Sequence, residues 1–173
     1  MKENNESESR RLGRDCRQLI ASQQTLLLST CASNNQPDIS YAPFAVDDKG
    51  RFYIFISDLA MHTENLRSQS KAAIMFIKPE ADSRNLFARE RLVLSCRAEE
   101  VLSGCEDYVR MLEALEAKFG EIVALLRSLS DFHLFMLTPE SGQYIAGFGK
   151  AFTVNLRNGE FHLIAKAHAS KES

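Results

Sequence analysis

The stretch RFYIFISDLAMHTENLRSQSKAAIMFIK, residues 51–78, decides the fold of this chain. Its first part, residues 52–56, is a short apolar run of aromatic and β-branched residues, which is typical of a buried strand. Residues 61–70 have apolar positions at helical spacing, and Lys71–Ile77 is a second apolar run that stops before a proline. A strand, a short helix and a strand in this order favour a small barrel in which the helix fills a gap between two strands.

The connection between the two apolar runs carries polar residues around the start of the predicted helix: Ser57, His62, Thr63 and Lys71. Free backbone N–H groups at a helix start favour anions such as phosphate or carboxylate. The segment is therefore a candidate anion site, and a plain helix cap explains the same residues equally well.

Composition limits the classes of function. The 173 residues suit one domain, residues 1–173, with enough apolar content for a core. A net charge of −2 gives no electrostatic case for nucleic-acid binding. No apolar run reaches the roughly 18 to 20 residues that span a bilayer, and the charged residues 1–15 lack the apolar stretch of a signal peptide. We therefore expect a cytoplasmic protein with neither a membrane nor a nucleic acid as partner.

The sequence contains four cysteines, and none of them forms a CxxC pair or lies at zinc-site spacing to a histidine. They are Cys16, Cys31, Cys96 and Cys105. Reduced, mostly buried thiols are the expectation for a cytosolic protein.

The remaining pattern is mostly strands joined by turns, which predicts an antiparallel barrel with helices packed on its outside. Further strands are predicted at Thr25–Cys31, 38–46, 89–102, 131–138, 143–148, 151–156 and 161–164. Helices are predicted at residues 6–24 and 106–129, the second broken at Gly120. Residues 139–142 are predicted to turn the chain, residues 1–9 to be frayed, and residues 165–173 to form a flexible tail.

The first predicted helix is amphipathic, with one apolar face and a basic remainder. The apolar face consists of Leu12, Cys16, Leu19 and Ile20. The arginines that face elsewhere are Arg10, Arg14 and Arg17.

The sequence contains no Walker loop, dinucleotide loop, zinc-protease motif or nucleophile elbow. Gly147-Phe148-Gly149 is too short for a dinucleotide loop and predicts a bulge or tight corner between strands.

The histidines and one aspartate are candidates for chemistry. His133 and His162 lie in predicted strands, where a histidine is more often a structural residue than a ligand. His168 lies in the small tail, from which it can reach a site without straining the fold, and on the residues alone it is also explained as a bystander. Asp131 begins a strand directly after a helix, where a carboxylate can hold a histidine in one tautomer or simply cap a turn.

An arginine cluster gives the clearest signal for an anionic ligand. Arg84, Arg89 and Arg91 lie close together in the sequence, and with Lys71 and the helix start after Ser57 they are suited to phosphate or propionate groups. The planar guanidinium fork grips a carboxylate or phosphate with two hydrogen bonds. Solvated surface charge is the competing explanation.

Three segments within residues 24–153 agree in order and spacing with one known family: HTENL followed by KAAIMF, then SRNLFARERLVLSCRAE, then LSDFHLFMLTPESGQYIAGFGKA. They resemble the HugZ/HutZ family of heme-utilisation proteins, within the wider group of split barrels similar to pyridoxamine 5′-phosphate oxidase. The resemblance implies a mainly β (α+β) fold, a six-stranded antiparallel split β-barrel of the FMN-binding type with peripheral helices. It also implies a homodimer with ligand sites at the dimer interface.

Heme, rather than flavin, is the cofactor that this resemblance implies. The family's iron ligand is a histidine on the C-terminal tail, which corresponds here to His168, with His162 as the rival candidate. Asp131 of the other subunit resembles the hydrogen-bonding partner of that histidine, and Arg91 matches the arginine expected near the heme.

The implied reaction is reductive cleavage of the porphyrin to a biliverdin-type product with release of iron, fed by an external electron donor. An aspartate beside the histidine N–H pushes electron density towards the iron, which favours activation of dioxygen. Two alternatives stay open. An FMN-dependent oxidoreductase fits the barrel and the anion segment, and a non-enzymatic heme carrier would use the same ligands as the enzyme.

Overall fold

The computed structural model describes residues 2–155 and 159–164, together with the side chains from residue 7 onward. Four α-helices occur in this part of the chain: α1 (Lys2–Ala21), α2 (Met61–Gln69), α3 (Glu106–Phe119) and α4 (Glu121–Arg127). Its strands are β1 (Thr25–Cys31), β2 (Pro37–Val46), β3 (Phe52–Ser57), β4 (Lys71–Ile77), β5 (Arg91–Val101), β6 (Phe132–Gly147), β7 (Lys150–Asn155) and β8 (Glu160–Leu163). Two short 3₁₀ turns, Glu80–Asp82 and Leu86–Ala88, lie between β4 and β5.

The strands form the predicted antiparallel barrel. They are hydrogen-bonded in the order β3-β2-β1-β4-β5-β6, and β6 pairs again with β3, so that six strands close into a ring. Strands β7 and β8 extend the sheet from the far half of β6. The split-barrel prediction is therefore confirmed. Helix α2 connects β3 to β4, which lie on opposite sides of the ring, with β2 and β1 between them on one side and β6 and β5 on the other.

Strand β6 corrects one expectation. Residues 139–142 were predicted to turn the chain, but β6 runs unbroken from Phe132 to Gly147. Pro139 lies opposite Cys96, where the register of β5 and β6 shifts, and an irregularity of this kind tolerates a residue that lacks an N–H donor. Gly142 permits the close strand approach beyond it, because an added Cβ would lie 2.9 Å from Leu94 Cδ2.

The side chains of the barrel pack into two apolar clusters. The larger fills the barrel interior around three ring pairs among Phe44, Phe52 and Phe76, with centroid separations of 5.2 to 5.8 Å. The smaller lies under α3 and α4, where Met111, Leu112, Leu115 and Val123 contact the outer faces of β2, β3 and β6. Alternate residues of β6 thus serve the two clusters, as the sequence alternation predicted.

The helix boundaries differ from the predictions only at their ends. Helix α1 begins at Lys2 and ends at Ala21, rather than covering residues 6–24. The predicted break at Gly120 is confirmed, since this residue has φ +79° and separates α3 from α4. No helix in the described ranges is both long and apolar enough to cross a membrane.

Candidate functional site

One end of the barrel carries a connected polar network around Asp131. The Ser57 hydroxyl, at the end of β3, donates a 2.7 Å hydrogen bond to Asp131 Oδ2, while the Asp58 N–H donates to the Asp131 carbonyl at 2.8 Å. The same Ser57 oxygen accepts the Leu59 N–H at 3.1 Å. The aspartate before β6 is therefore held in a fixed orientation, with Oδ1 left for a further donor.

The start of α2 is tied into this network. Thr63 is fully buried, and its hydroxyl donates a 2.6 Å hydrogen bond to the Ser57 carbonyl. Two residues further along α2, the buried Asn65 amide donates to Thr30 Oγ1 of β1 at 3.0 Å. Neither hydroxyl of Ser57 and Thr63 caps α2, which begins after Ala60 without a side-chain cap hydrogen bond. Both hydroxyls bond to other parts of the β3–α2 connection and to Asp131, which leaves neither free to hold a phosphate.

Among the described residues, the Nε2 atom of His62 is the one buried polar side-chain atom without a hydrogen bond. This atom has essentially no solvent contact. Burial lowers the pKa of His62, so the imidazole is neutral near pH 7. An orphaned nitrogen of this kind is a group to which a ligand or a second chain can donate or accept a hydrogen bond.

His133 lies beside this network, enclosed by charged groups. Its Nε2 is 3.0 Å from Asp58 Oδ2, and its Nδ1 is 2.7 Å from Glu100 Oε1. Arg67 closes the ring by donating to Asp58 at 2.6 Å and to Glu100 at 3.0 Å, and these bonds lower the pKa of both carboxyls. The expectation that a strand histidine is structural is thus met at His133.

Sequence reasoning missed this four-residue ring. Its members come from the β3–α2 connection, α2, β5 and β6, and no local pattern links them. The available signal was the alternation that places His133 and Asp131 on one face of β6, which indicates a shared environment but not the partners.

The arginine cluster lies at the other end of the β5–β6 ladder. Arg89 is committed to the fold, since its Nε and Nη2 donate to the Lys78 carbonyl at 3.1 and 2.6 Å and its Nη1 to Glu80 at 3.0 Å. Arg91 donates only to the Arg89 carbonyl, at 3.1 Å, and Arg84 is exposed. Within the described chain neither Arg84 nor Arg91 has an ion-pair partner, so both remain available to an anionic ligand.

Exposed apolar side chains accompany these arginines. Phe87 is 98 % exposed on the second 3₁₀ turn, and the adjacent Leu86 is 59 % exposed. Phe148, in the β6–β7 corner, is 82 % exposed. The register of β6 against β7 slips between Ile145 and Gly147, which confirms the predicted tight corner.

The predicted site residues do not converge within one chain. Lys71 pairs with Arg97 and Ile77 with Arg91, so Lys71 is six strand residues from the arginine end, roughly 20 Å along β4. Arg91 pairs with Ile145 and Val101 with Leu134, so that Asp131 lies more than roughly 30 Å along the ladder from Arg91. The expectation that Lys71 and the Ser57 helix start join the arginines in one site is wrong for a single chain.

The two candidate histidine ligands of the heme iron, His168 and His162, lie in different parts of the chain. His168 lies outside the described residues, as does the tail 165–173. His162 is exposed on β8, and its Nε2 is 3.7 Å from Glu160 Oε2. No group of three or more histidine, cysteine or carboxylate side chains arranged to hold a metal ion occurs in the described ranges.

The cysteines are all unpaired, as predicted. Cys16 and Cys96 are buried, Cys31 is half-buried and Cys105 is exposed. Burial raises the pKa of the Cys16 and Cys96 thiols to about 12, which keeps both protonated and unreactive.

Comparison with known proteins places this fold among its relatives. The model of the family described as pyridoxamine 5′-phosphate oxidase matches residues 12–146. The protein named heme oxygenase HutZ of Vibrio cholerae serotype O1 is 35% identical over 145 residues, which cover 84% of this chain and 82% of the relative.

Solved structures give the same grouping. The structure of HutZ, the heme storage protein from Vibrio cholerae, superposes with a TM-score of 0.69 at 34% identity, covering 73% of this chain and 89% of that one. Campylobacter jejuni ChuZ superposes with a TM-score of 0.79 at 27% identity, covering 89% of this chain and 62% of that one.

Proposed function

The chain belongs to the pyridoxamine 5′-phosphate oxidase family and, within it, to the HugZ/HutZ group, and on this premise we propose that it binds heme between two copies of itself and degrades it. The observation that carries the proposal is the division of the candidate site. Arg91 and Asp131 occupy opposite ends of the β5–β6 ladder, too far apart for one porphyrin to contact both in a single chain. A two-fold homodimer can bring Arg91 of one subunit to Asp131 of the other.

The arginine end supplies the groups that hold the porphyrin. Arg84 and Arg91 have guanidinium groups without carboxylate partners in the described chain, and these are suited to propionates. The exposed Phe87 and Leu86 offer apolar surface to the ring or to the second subunit. Arg89 contributes indirectly, because its bonds to Lys78 and Glu80 fix the loop that carries the other two arginines.

The Asp131 end supplies the orienting carboxylate. Ser57 holds Oδ2, so that Oδ1 can accept the ring N–H of a histidine ligand, for which we propose His168 of the partner subunit. A histidine held in this way is fixed in one tautomer and becomes more basic. His62 offers a neutral imidazole nitrogen that has no partner within the described chain, as a site facing a bound ligand requires.

Heme, when bound, is both the substrate and the centre that activates dioxygen. The protein would orient the heme, exclude bulk water with the dimer interface, and keep the proposed histidine ligand electron-rich through Asp131. Reductive cleavage of the porphyrin also requires electrons, which an external electron donor would supply. The free thiols agree with a reducing compartment, and we propose the cytoplasm.

Heme carriage without turnover is the second candidate, and one observation favours it directly. The names of the relatives divide, since HutZ is called a heme oxygenase in one case and a heme storage protein in another. Both functions require the same ligands, so binding residues alone do not separate them. Product analysis does, because a carrier releases intact heme.

The flavin alternative has weaker support from the geometry. Ser57 and Thr63 are the candidates for a phosphate cradle. The Ser57 hydroxyl donates to Asp131 instead, and the Thr63 hydroxyl donates to the Ser57 carbonyl. Lys71 lies beyond the far end of α2, roughly 13 Å along a helix of nine residues. A flavin spectrum in the purified protein, with no response to hemin, would support this alternative instead.

The test is an anaerobic hemin titration followed by addition of air and a reductant. We expect saturation at one hemin per subunit, and then loss of the Soret band with appearance of a bilin and of chelatable iron. A Soret band that forms and then survives assigns the protein to heme carriage, and no Soret response rejects heme binding. His168→Ala should change the spectrum of the bound heme, whereas the matched variant His162→Ala, on exposed β8, should leave it as in the parent.

A further inference from the structure

A large cavity lies between α1, the open end of the barrel and the β7–β8 hairpin. Its volume is about 1180 Å³, above the range of about 300 to 1,000 Å³ that ordinary ligand sites occupy. Among the residues that the structure describes, no candidate heme residue lines it. Beneath it lies the barrel core, of which only the edges of four side chains reach the cavity, each at most 3 % exposed: Phe44, Phe52, Leu92 and Leu94.

Helix α1 forms the roof of the cavity. Its Gly13 lies beside Phe161 of β8, since a Cβ added at Gly13 would make an ordinary van der Waals contact of 3.9 Å with the Phe161 ring. Ile20 and Val154 complete the apolar wall. Walls of this composition bind an apolar body well, because water between them gains few hydrogen bonds.

Cationic side chains from two helices also line the cavity. Arg14 and Arg17 lie three residues apart on α1, and Lys118 comes from the last turn of α3. None of these three has an ion pair in the ranges that the structure describes. Arg10 lines the same wall and has interactions of its own.

Lys118 places its charge at the edge of the barrel core. Its Nζ lies 3.9 Å from the centre of the Phe44 ring and donates to the Phe44 carbonyl at 3.0 Å. Desolvation lowers the pKa of Lys118, as expected for an ammonium group with no carboxylate beside it.

Two of the three wall carboxylates are paired with cations outside the cavity. Asp47 binds Arg51 at 2.7 Å, and Asp48 lies 3.9 Å from Arg110. The third, Glu160, lies 3.7 Å from His162 and has further interactions. The cavity therefore combines an apolar interior with positive charge at its wall.

We propose that this cavity binds an amphipathic carboxylate, with its apolar body against the wall formed by Ile20 and Val154 and its carboxylate at Arg14, Arg17 and Lys118. Guanidinium and ammonium groups at the wall of an apolar space match this chemistry, since charge-assisted hydrogen bonds hold the head while burial holds the body. The site stands apart from the heme site and does not depend on it.

A long-chain fatty acid and a linear tetrapyrrole dicarboxylate share this chemistry. We would delipidate the full-length protein and titrate it separately with palmitate and with biliverdin, following heat and, for biliverdin, absorbance. At least one of them should bind at one molecule per subunit in the micromolar range or tighter. The titration that saturates, with palmitate or with biliverdin, shows whether the ligand is a fatty acid or a linear tetrapyrrole.

Variants locate the binding. Arg14→Gln/Arg17→Gln should weaken binding by about tenfold, because two charge-assisted contacts are lost. The matched control is Arg11→Gln/Arg97→Gln, which removes the same charge from residues outside the cavity and should change affinity by less than about twofold. Ile20→Trp, which places a bulkier side chain on the apolar wall without removing charge, should weaken binding and provides a test if the arginine variant folds poorly.

The uncharged methyl ester of the bound acid should bind about tenfold more weakly than the acid, since only the acid carries the charge that the wall attracts. Binding of neither probe, or binding that the cavity variants leave unchanged, overturns the proposal. Hemin titration of the same variants should match the parent protein. Loss of the ligand with retention of the hemin response therefore separates this site from the proposed function.

Discussion

The two ends of the β5–β6 ladder carry opposite kinds of polar chemistry. At the Asp131 end, hydroxyls, carboxylates, His133 and Arg67 bond to one another within the chain. At the Arg91 end, Arg84 and Arg91 lack carboxylates in the described residues, and Phe87 is 98 % exposed. Folding satisfies most polar groups of the first end and leaves Asp131 Oδ1 and His62 Nε2, whereas the cations of the second end can be paired only by a ligand or a second chain.

This difference predicts different consequences of substitution. Changes at the Asp131 end should destabilise the chain itself, because each removes a bond formed on folding. Changes at the Arg91 end should leave the chain stable and act on what it binds. The following variants test that contrast, beginning with the largest expected effect.

Thr63→Val should lower the free energy of unfolding by about 2 kcal/mol. The fully buried hydroxyl is lost, and the Ser57 carbonyl that it satisfied is left without that donor. Urea unfolding measures the change. Thr153→Val is the matched control, since its exposed hydroxyl makes only a 3.4 Å bond to the His162 carbonyl and its loss should cost less than about 0.5 kcal/mol. Equal effects of the two variants would contradict the contrast.

Arg67→Ala should cost about 1 kcal/mol, because it removes the cation shared by Asp58 and Glu100. The pKa of each carboxyl is held down by Arg67, so this stabilisation is present above their ordinary values and is lost as the pH falls through the lowered ones. Melting temperatures at pH 7 and pH 3 should therefore differ less in the variant than in the parent. A difference that stays the same would show that the ring contributes nothing to acid sensitivity.

Much of the fold could be predicted from the sequence, and the limits have physical causes. The runs around residues 52–56 and Lys71–Ile77 have the β-branched and aromatic content that makes a strand, and their ends are placed almost to the residue. Residues 139–142 were misassigned because Pro and Gly are strong turn signals, and only the neighbouring strand shows that a register shift absorbs them.

The candidate site was less predictable than the fold. Asp131 and Arg91 could be singled out from the sequence, but their distance apart depends on the register of two long strands. Contacts between residues far apart in the chain produce both the hydrogen bonds from Arg89 to the Lys78 carbonyl and the four-residue ring around His133. Local patterns carry no information about such contacts, and they also missed the cavity that α1 covers.

Phe87→Ser should change the stability of the isolated chain by less than about 0.5 kcal/mol, because the ring is almost fully exposed. It should nevertheless weaken hemin binding or self-association, which a hemin titration and analytical ultracentrifugation would detect. Leu102→Ser is the control, since Leu102 is 76 % exposed away from the arginines and should affect neither. A clear loss of stability in the Phe87 variant would mean that this end is also completed within the chain.

His62→Leu should have the smallest effect, a change in the pH dependence of stability. Burial places the folded-state pKa of His62 below its ordinary value, so the unfolded chain binds the proton first as the pH falls. The parent should therefore lose stability below about pH 6.5, the ordinary pKa of histidine, and the variant should lose less over that interval. Urea midpoints at pH 7.5 and pH 5.5 measure this, and identical slopes would contradict it.

The most direct test of a heme site shared between two subunits is complementation between Arg91→Ala and Asp131→Asn, the second of which keeps an oxygen that can accept the Ser57 hydroxyl. Each variant alone should lose most heme turnover, since each removes one side of every site. When the two are unfolded together and refolded as a mixture, half of the dimers should be mixed, and each should hold one intact site, restoring about a quarter of the parent activity. Recovery of that fraction is the predicted result, and a mixture no more active than its separate components would contradict the account.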